Sequence, residues 1–433
     1  MKKLFSFLLA LAMGFGALAA DRQHTLKIYN WADYIDEDLL TEFEQWYKEQ
    51  TGEEVHVIYQ LFDINEVMLS KIELGHEDYD VVCPSDYIIE RMLRGDMLLP
   101  ISHDFGDIPD YTLGVSPYMR AMMANTDGNG RDVADYAIPY MWGTVGLLYN
   151  PKYVSAEECR SWEVLRNPEY AGKIYVKDAF RDVYTSLLIA LRKDEIDSGK
   201  VTRDAVSRDT SPESIQMVEE WLNSMKDGVQ GWEADFGKEM MTKEKGWINL
   251  SWSGDAQWAI EEAEKVGVEL AFTVPEEGST VWYDGWVIPK YAVNTKAASW
   301  FINFMCMPEN ALRNMDEIGY VSAIGGPEIL AAMIDNDAFA PEDASYFFGP
   351  EAAEACLNPV QYPSAAIISR CGVLHDTGER TEALLAMWSR VKGDNASTFT
   401  YVLIGVVVAA LLAGYFFSKK RKKKSHRNYN NKR

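Results

Sequence analysis

Short apolar stretches of strand length alternate along this chain with longer stretches that have helical periodicity. A short strand predicted at 26–29 is followed by a segment, 37–47, whose apolar side chains share one helical face. Further strands are predicted at 55–59 and 79–82. Such alternation is typical of α/β proteins, in which helices cover a largely parallel sheet. We therefore expect an α/β fold.

The alternation continues in the second half of the chain. An extended segment over 137–150 precedes four more predicted strands, at 173–176, 247–252, 268–274 and 281–288. The segments that predict helices are 214–225, 256–265, 296–305, 308–318 and 379–392. Several predicted strands run into polar or aromatic loops. In open α/β sheets, ligands bind at the carboxyl ends of the strands, so these loops are where we expect a site.

The N-terminal residues 1–19 have the pattern of a secretory signal peptide. Lys2 and Lys3 precede an apolar stretch over 4–15, and Ala17-Leu18-Ala19 supplies small residues at a cleavage site. This pattern predicts that the mature chain lies outside the cytoplasm.

A single C-terminal transmembrane helix is predicted at 398–417. No charged residue occurs over 401–417, and six consecutive basic residues follow at 419–424. Because basic residues prefer the cytoplasmic side, the segment 418–433 is predicted to be a cytoplasmic tail. The chain is therefore expected to be anchored on the outer face of the cell membrane.

The segment between the two ends is strongly acidic. Of the 42 basic residues in the chain, Lys2, Lys3 and nine residues from 419 onward lie in the terminal segments, which leaves 31 basic residues against 66 acidic ones. A formal charge near −35 attracts cations and disfavours nucleic acid as a partner. The five cysteines have no metal-type spacing, and their pairing cannot be deduced from the sequence.

The sequence lacks the common motifs of hydrolytic and nucleotide-dependent enzymes. None of the six histidines belongs to a His-Glu-x-x-His arrangement, and neither a Gly-x-Ser-x-Gly elbow nor a Gly-rich phosphate loop is present. We therefore predict no catalytic residue, no metal ligand and no cofactor. A carbohydrate-active enzyme with paired carboxylates remains an alternative, because many acidic residues guarantee some close pairs.

Four short segments place an aromatic ring beside a carboxylate near the end of a predicted strand. They are 29–34, 84–87, 252–255 and 282–285. Ring faces attract cations, and carboxylates accept charge-assisted hydrogen bonds from ammonium groups. A slot with aromatic sides and acidic ends suits a flexible molecule that has an amine at each end.

The order and spacing of these motifs resemble those of the spermidine/putrescine-binding proteins of bacterial ATP-driven uptake systems. The motifs are Asn-Trp-x-Asp-Tyr, Pro-Ser-x-Tyr, Ile-Pro-Tyr-x-Trp-Gly, Trp-x-Gly and Trp-x-Asp, and the resemblance covers about 26–392. It implies a two-lobed periplasmic-binding-protein fold of type II with a ligand cleft between the lobes. Lobe one is expected to hold 24–136 and 286–325, and lobe two to hold 137–285 and 326–395.

The resemblance also implies a set of ligand-binding residues. It assigns the aromatic walls to Trp31, Tyr34, Tyr87, Trp252 and Trp282, with Tyr320 as a further pocket tyrosine. Asp284 is implied as the principal carboxylate for one ammonium, with Ser85 as a polar contact near it. At the far end Asp182 fits an acidic position, and a second acidic position falls on Ala179 or, with a shift of one residue, on Asp178.

The implied function is the capture of a polyamine and its delivery to a membrane permease with a cytoplasmic ATPase. Asp33 and Asp255 match the putrescine-binding pattern, whereas Tyr87 and Trp282 match the spermidine-binding pattern. Putrescine is favoured and spermidine is next, with agmatine left open. A membrane-anchored amine sensor is the other alternative, because the same fold can report an amine to a partner protein.

Overall fold

The computed structural model describes residues 22–393. In this part of the chain twelve strands belong to one sheet, and eight of them follow the order β2-β1-β3-β10-β5-β8-β6-β7. The other four pair with β5 or β10. The strands are β1 (Thr25–Trp31), β2 (His56–Phe62), β3 (Val81–Val82), β4 (Leu98–Leu99), β5 (Ala137–Tyr149), β6 (Ile174–Lys177), β7 (Val229–Glu233), β8 (Ile248–Trp252), β9 (Ala271–Thr273), β10 (Ser279–Pro289), β11 (Val321–Ser322) and β12 (Cys371–Val373).

The two longest strands, β5 and β10, lie antiparallel at the centre of the sheet, and every residue of both is buried. Near one end of this pair, Val287 of β10 lies opposite Val82 of β3. Strand β3 belongs to a first strand group, in which β1, β2 and β3 are parallel to one another. Near the other end, Val145 of β5 lies opposite Trp252 of β8. There a second strand group begins, with β6, β7 and β8 parallel to one another. Both groups therefore share the central pair.

Sixteen α-helices cover the sheet in the described residues, and short 3₁₀ segments occupy several connections. The helices are α1 (Asp38–Thr51), α2 (Asn65–Glu73), α3 (Asp86–Arg94), α4 (Pro117–Met123), α5 (Phe180–Leu191), α6 (Lys193–Asp197), α7 (Arg203–Ser207), α8 (Pro212–Met225), α9 (Gly237–Thr242), α10 (Ser253–Lys265), α11 (Thr295–Met305), α12 (Pro308–Ile318), α13 (Pro327–Met333), α14 (Ser345–Phe348), α15 (Ala365–Ile368) and α16 (Thr381–Lys392).

The boundaries of several helices follow from residues that stop or start a helix locally. The Ser211 hydroxyl accepts a hydrogen bond from the backbone of Ser214, and Pro212 then begins α8. At the C-terminal end of a helix, a glycine can have the same effect: α12 ends where Gly319 adopts a φ of +75°. A left-handed residue at that position favours glycine, and it turns the chain toward Tyr320.

Helices α11 and α16 show how late segments of the chain return to earlier ones. The Phe301 ring of α11 lies 5.3 Å from the Phe43 ring of α1, so α11 packs beside the first strand group. In α16 the Trp388 ring lies 4.9 Å from the Trp232 ring of β7, so α16 packs beside the second strand group. The chain therefore crosses between the two groups more than once, as a two-lobed fold requires. The lobe boundaries themselves stay predictions.

Between residues 22 and 393, no helix has both the length and the apolar character needed to cross a bilayer. The predicted signal peptide (1–19), transmembrane helix (398–417) and basic tail (418–433) all lie outside the described residues. The five cysteines lie inside them, and each is a free thiol.

Candidate functional site

The residues of the candidate site lie where strands of the two groups end and in the middle of β10. Trp31 ends β1, Ser85 and Tyr87 follow β3, and Trp252 ends β8. Because alternate residues of a strand share one face, Trp282 and Asp284 of β10 point to the same side of the sheet. The pairing of β10 with β5 is irregular between Asp284 and Gly285, and bulges of this kind often redirect side chains at functional sites.

Asp284 is a buried carboxyl group with two hydroxyl neighbours. Its Oδ2 atom accepts a hydrogen bond of 2.8 Å from the Tyr34 hydroxyl, and its backbone forms an isolated β-bridge with Ser85. Its Oδ1 atom is buried without a hydrogen-bond partner in the described residues. Burial raises the pKa of Asp284 to about 7, although the hydrogen bonds from Ser85 and Tyr34 lower it. An added cationic donor would satisfy Oδ1 and favour the ionised form.

Asp182 lies in the first turn of α5 and is partly buried. Its Oδ1 atom accepts a hydrogen bond of 3.1 Å from the indole nitrogen of Trp252. Burial raises the pKa of Asp182 to about 6, and the Trp252 hydrogen bond opposes that rise. Asp182 forms no ion pair within residues 22–393, so a cation from solution would also stabilise this carboxylate.

A row of four aromatic rings connects these two carboxyl groups. The Tyr34 ring, next to Asp284, lies 5.1 Å from the Tyr320 ring. Tyr320 lies 5.7 Å from Trp282, and Trp282 lies 6.5 Å from Trp252, which contacts Asp182. All three pairs meet edge to face, the geometry that aromatic pairs prefer over a flat sandwich. The row therefore has a carboxyl group in contact with each of its two end rings.

Close backbone packing holds the Tyr320 ring in this row. A Cβ atom added to Gly254, in the first turn of α10, would lie 2.3 Å from the Tyr320 ring. The glycine of the Trp-Ser-Gly motif is thus explained by the approach of a helix to an aromatic ring, since any larger residue would displace the ring.

Tyr87 is held in place by the protein, and one face of its ring already has a cation. Asn65 donates hydrogen bonds of 2.9 Å to both Ser85 Oγ and the Tyr87 hydroxyl. The Arg181 guanidinium lies 4.2 Å from the centre of the Tyr87 ring and forms an ion pair with Glu66. Arg181 and Glu66 were not predicted as part of the site.

Asp255 is buried, but it already has a lysine partner. Lys177 Nζ lies 2.5 Å from Asp255 Oδ2, and Lys238 Nζ lies 3.6 Å from Oδ1. The Tyr320 hydroxyl also donates to Oδ1 at 2.9 Å. Burial would raise the pKa of Asp255, but the two lysines hold it below its usual range. Asp255 therefore contacts the Tyr320 ring of the row, but it is already paired with the protein's own cations.

Trp31, Asp33 and Asp178 stand apart from the row. The Trp31 ring lies 4.4 Å from Phe62, and Asp33 is exposed in the turn after β1 with a φ of +50°. Asp178, the alternative for the second acidic position, accepts a hydrogen bond of 2.6 Å from Trp388 and pairs with Lys392 at 2.7 Å. It therefore contacts α16.

Two strand groups that share a central pair, with an aromatic row that has a carboxyl group at each end, form a geometry suited to a small cationic ligand. A family model for bacterial extracellular solute-binding proteins matches residues 40–332. That match spans more than half of the chain, so the chain belongs to this family. The extracellular character of the family agrees with the predicted location outside the cytoplasm.

Several known proteins are similar over most of the chain. The spermidine/putrescine-binding periplasmic protein of Escherichia coli K12 is 30% identical over 330 residues, which cover 76% of this chain and 86% of that protein. A putrescine-binding periplasmic protein of Pseudomonas aeruginosa is 28% identical over 402 residues, which cover 90% of this chain and 98% of that protein.

A solved structure supports the same fold. The substrate-binding protein of a spermidine/putrescine ABC transporter from Streptococcus pneumoniae aligns with a TM-score of 0.61 and 29% identity. The alignment covers 85% of this chain and 99% of that one. The predicted α/β periplasmic-binding-protein fold is thereby confirmed.

Proposed function

We propose that this protein binds a small polyamine, with putrescine favoured over spermidine, and delivers it to an ABC-type uptake permease. The observation that supports this most directly is the pair Asp182 and Asp284. Each is a carboxyl group with a raised pKa and no ion-pair partner in the described residues, and each contacts one end ring of the aromatic row. Two such groups match the two ammonium groups of a diamine.

The aromatic row supplies the contacts for the middle of the ligand. Methylene groups pack on ring faces, and an ammonium group near a ring face gains a cation–π attraction. The rings belong to both strand groups or to the central pair: Tyr34 follows β1, Trp252 ends β8 and Trp282 lies in β10. A ligand held by both groups favours the arrangement in which they are closest, because only that arrangement makes every contact.

The delivery step requires other proteins. The sequence contains no nucleotide-binding loop, so a separate ATPase supplies the energy. The similar proteins from Escherichia coli and Streptococcus pneumoniae are named for polyamine binding and for an ABC transporter, respectively, which favours transport over sensing. Membership of a solute-binding family likewise favours binding without turnover over a carbohydrate-active enzyme.

The membrane anchor belongs to the same proposal. The uncharged segment 401–417 and the basic residues that follow it are the reason for proposing a helix over 398–417. A helix of this kind would hold the binding protein close to its permease and raise its effective concentration there. Removal of residues 397–433 is expected to move the protein from the membrane fraction to the soluble fraction, and an unchanged distribution would contradict the anchor.

The ligand assignment is tested by calorimetric titration of the purified full-length chain, in detergent and stripped of ligand. Putrescine, spermidine, cadaverine and agmatine are titrated in turn, and saturable one-to-one binding on the order of a micromolar or tighter is expected for putrescine.

Asp182→Asn and Asp284→Asn should each weaken putrescine binding by at least about tenfold, because a charge-assisted contact is lost. Asp343→Asn, an exposed residue, is the control. A folded protein that binds none of the four amines would refute the proposal.

A further inference from the structure

Lys177 is a buried lysine at the end of β6, and its surroundings have the chemistry that an ammonium ligand needs. Its side chain is only 1% exposed. Nζ pairs with Asp255 at 2.5 Å and with Glu233 at 3.4 Å, and it donates to the Ala234 carbonyl at 2.7 Å. It also lies 4.5 Å from the centre of the Trp252 ring, which belongs to the aromatic row.

We infer that Lys177 is a specificity-determining residue that limits the site to ligands with two ammonium groups. The Lys177 ammonium group pairs with the Asp255 carboxylate and lies against the Trp252 ring. Without Lys177, these two groups would be available to a third ammonium group of a longer polyamine. The inference rests on the proposed function and extends it by specifying how many ammonium groups the ligand has.

A count of the carboxyl groups around the row supports the limit of two. Glu66 is paired with Arg181, and Asp255 and Glu233 share Lys177. Asp86 accepts a hydrogen bond from the Tyr87 backbone and not from a ring of the row, and burial holds its pKa well above the usual range. Within residues 22–393, Asp182 and Asp284 are then the carboxyl groups in contact with the row that lack an ion pair.

The charges around Lys177 are consistent with this limit. Lys177 is buried beside Asp255 and Glu233, and those carboxylates keep its pKa above the usual value although burial opposes this. Because Lys177 already pairs with these carboxylates, a third ligand ammonium near Trp252 would find no carboxylate there without a cation. Discrimination against the longer amine thus comes from a missing partner.

The first test compares ligands of increasing charge on the full-length chain. Calorimetric titrations with putrescine and spermidine are expected to give spermidine an affinity at least about tenfold lower. Spermidine that binds as tightly as putrescine would overturn the inference and leave the proposed function standing. Failure of both amines to bind would refute the proposed function itself, so the two failures are distinguishable.

The second test uses the pair of Lys177 and Asp255. Lys177→Met removes the nearer of the two lysines beside Asp255, and it should shift the ratio of spermidine to putrescine affinity at least about tenfold toward spermidine. The double variant Lys177→Met/Asp255→Asn removes both charges, so the ratio should return toward that of the unmodified chain. Lys238→Met, at the more distant lysine beside Asp255, is the matched comparison and should shift the ratio by less than Lys177→Met does. A folded Lys177→Met variant with an unchanged ratio would overturn the inference; if that variant does not fold, the comparison of ligands on the unmodified chain decides.

Discussion

At the scale of single residues, Asp284 combines burial, two hydroxyl neighbours and an oxygen that has no partner in the described part of the chain. Its pKa is raised to about 7, against an ordinary value of 3.8. In the folded protein it therefore binds a proton at pH values where the unfolded chain has released it. The contribution of this group to stability is largest at low pH and is lost as the pH rises through about 7.

Asp284→Asn should therefore stabilise the ligand-free protein at pH 8. The amide retains a carbonyl oxygen for the Tyr34 hydroxyl and removes the buried charge, so the melting temperature is expected to rise by a few degrees. The gain should shrink toward pH 4, where the wild-type carboxyl is protonated. Thermal melts of both proteins from pH 4 to pH 8 check this, and a variant that melts lower than wild type throughout would contradict it.

The two raised pKa values also predict how binding depends on pH. Putrescine keeps both charges below pH 8, whereas Asp284 and Asp182 become protonated below about 7 and about 6. Only the ionised carboxylates attract an ammonium group, so affinity should fall at least about tenfold between pH 8 and pH 5.5. Titrations in matched buffers measure it, with Asp284→Asn expected to show a shallower dependence. Equal affinities at the two pH values would be inconsistent with a site made of these groups.

Sequence reasoning could propose the aromatic and acidic residues because most of them lie in short local motifs within or beside a predicted strand. It could not identify the partners of the acidic residues. Lys177 and Asp255 are far apart in sequence, as are Arg181 and Glu66, and only the folded chain brings each pair together. A local signal for Lys177 did exist, namely a charged residue that ends the otherwise apolar strand β6.

At the scale of secondary-structure elements, most of the long ones could be predicted and most of the short ones could not. The extended segment 137–150 is confirmed as β5, and the predicted helix at 308–318 has the bounds of α12. Strands β11 and β12, of two and three residues, were missed, because so few residues define no periodicity. Such short strands form only because β5 and β10 supply edges to pair with.

Helix α10 provides the prediction that belongs to this scale. Gly254→Ala should favour the helical conformation locally, yet the new methyl group would collide with the Tyr320 ring. We expect a loss of roughly 1–3 kcal/mol in the free energy of unfolding, as for other overpacked sites, and a loss of putrescine affinity of at least about tenfold. Denaturant titration and calorimetry measure the two effects.

The control for that substitution is Glu264→Ala, at an exposed position of the same helix. It should change neither the stability nor the affinity by more than a small factor, because its side chain does not lie beside the aromatic row. A Gly254→Ala protein that binds and unfolds like wild type would show that the approach of α10 to Tyr320 does not position the ring.

At the scale of the whole molecule, contacts away from the aromatic row also join segments of the two strand groups. Arg94 of α3 forms an ion pair with Asp376, which lies after β12. Nearby, His375 lies 3.0 Å from Glu90 of α3 and 3.0 Å from Asp204 of α7. These contacts stabilise the arrangement of the two groups that the structure shows.

Arg94→Gln should weaken putrescine binding without altering the residues that touch the ligand. It leaves the buried Asp376 side chain without its ion pair, so the arrangement of the two strand groups that the structure shows becomes less populated and affinity should fall by about three- to tenfold. Most of the loss is expected in a faster dissociation rate, measured by stopped-flow displacement. Arg313→Gln, at an exposed ion pair on α12, is the control, and equal dissociation rates for the two variants would contradict the prediction.

The overall architecture was predictable from the alternation of elements and from the resemblance of ordered motifs. The attachment of a group of parallel strands to each side of the β5–β10 pair was not predictable. Pairing between strands that are far apart in sequence produces no local pattern in either strand. The acidic charge of the chain predicted a cationic ligand in general terms. Its distribution into paired and unpaired carboxyl groups became visible only in the fold.

The most direct test of the central claim is a calorimetric comparison of putrescine with butylamine on the ligand-free, full-length chain. The two molecules share a four-carbon chain and differ in the second ammonium group. If Asp182 and Asp284 bind one ammonium group each, putrescine should bind one-to-one and at least about a hundredfold more tightly, since a second charge-assisted contact is worth a few kcal/mol. Equal affinities, or no saturable binding of putrescine by the folded protein, would contradict the account.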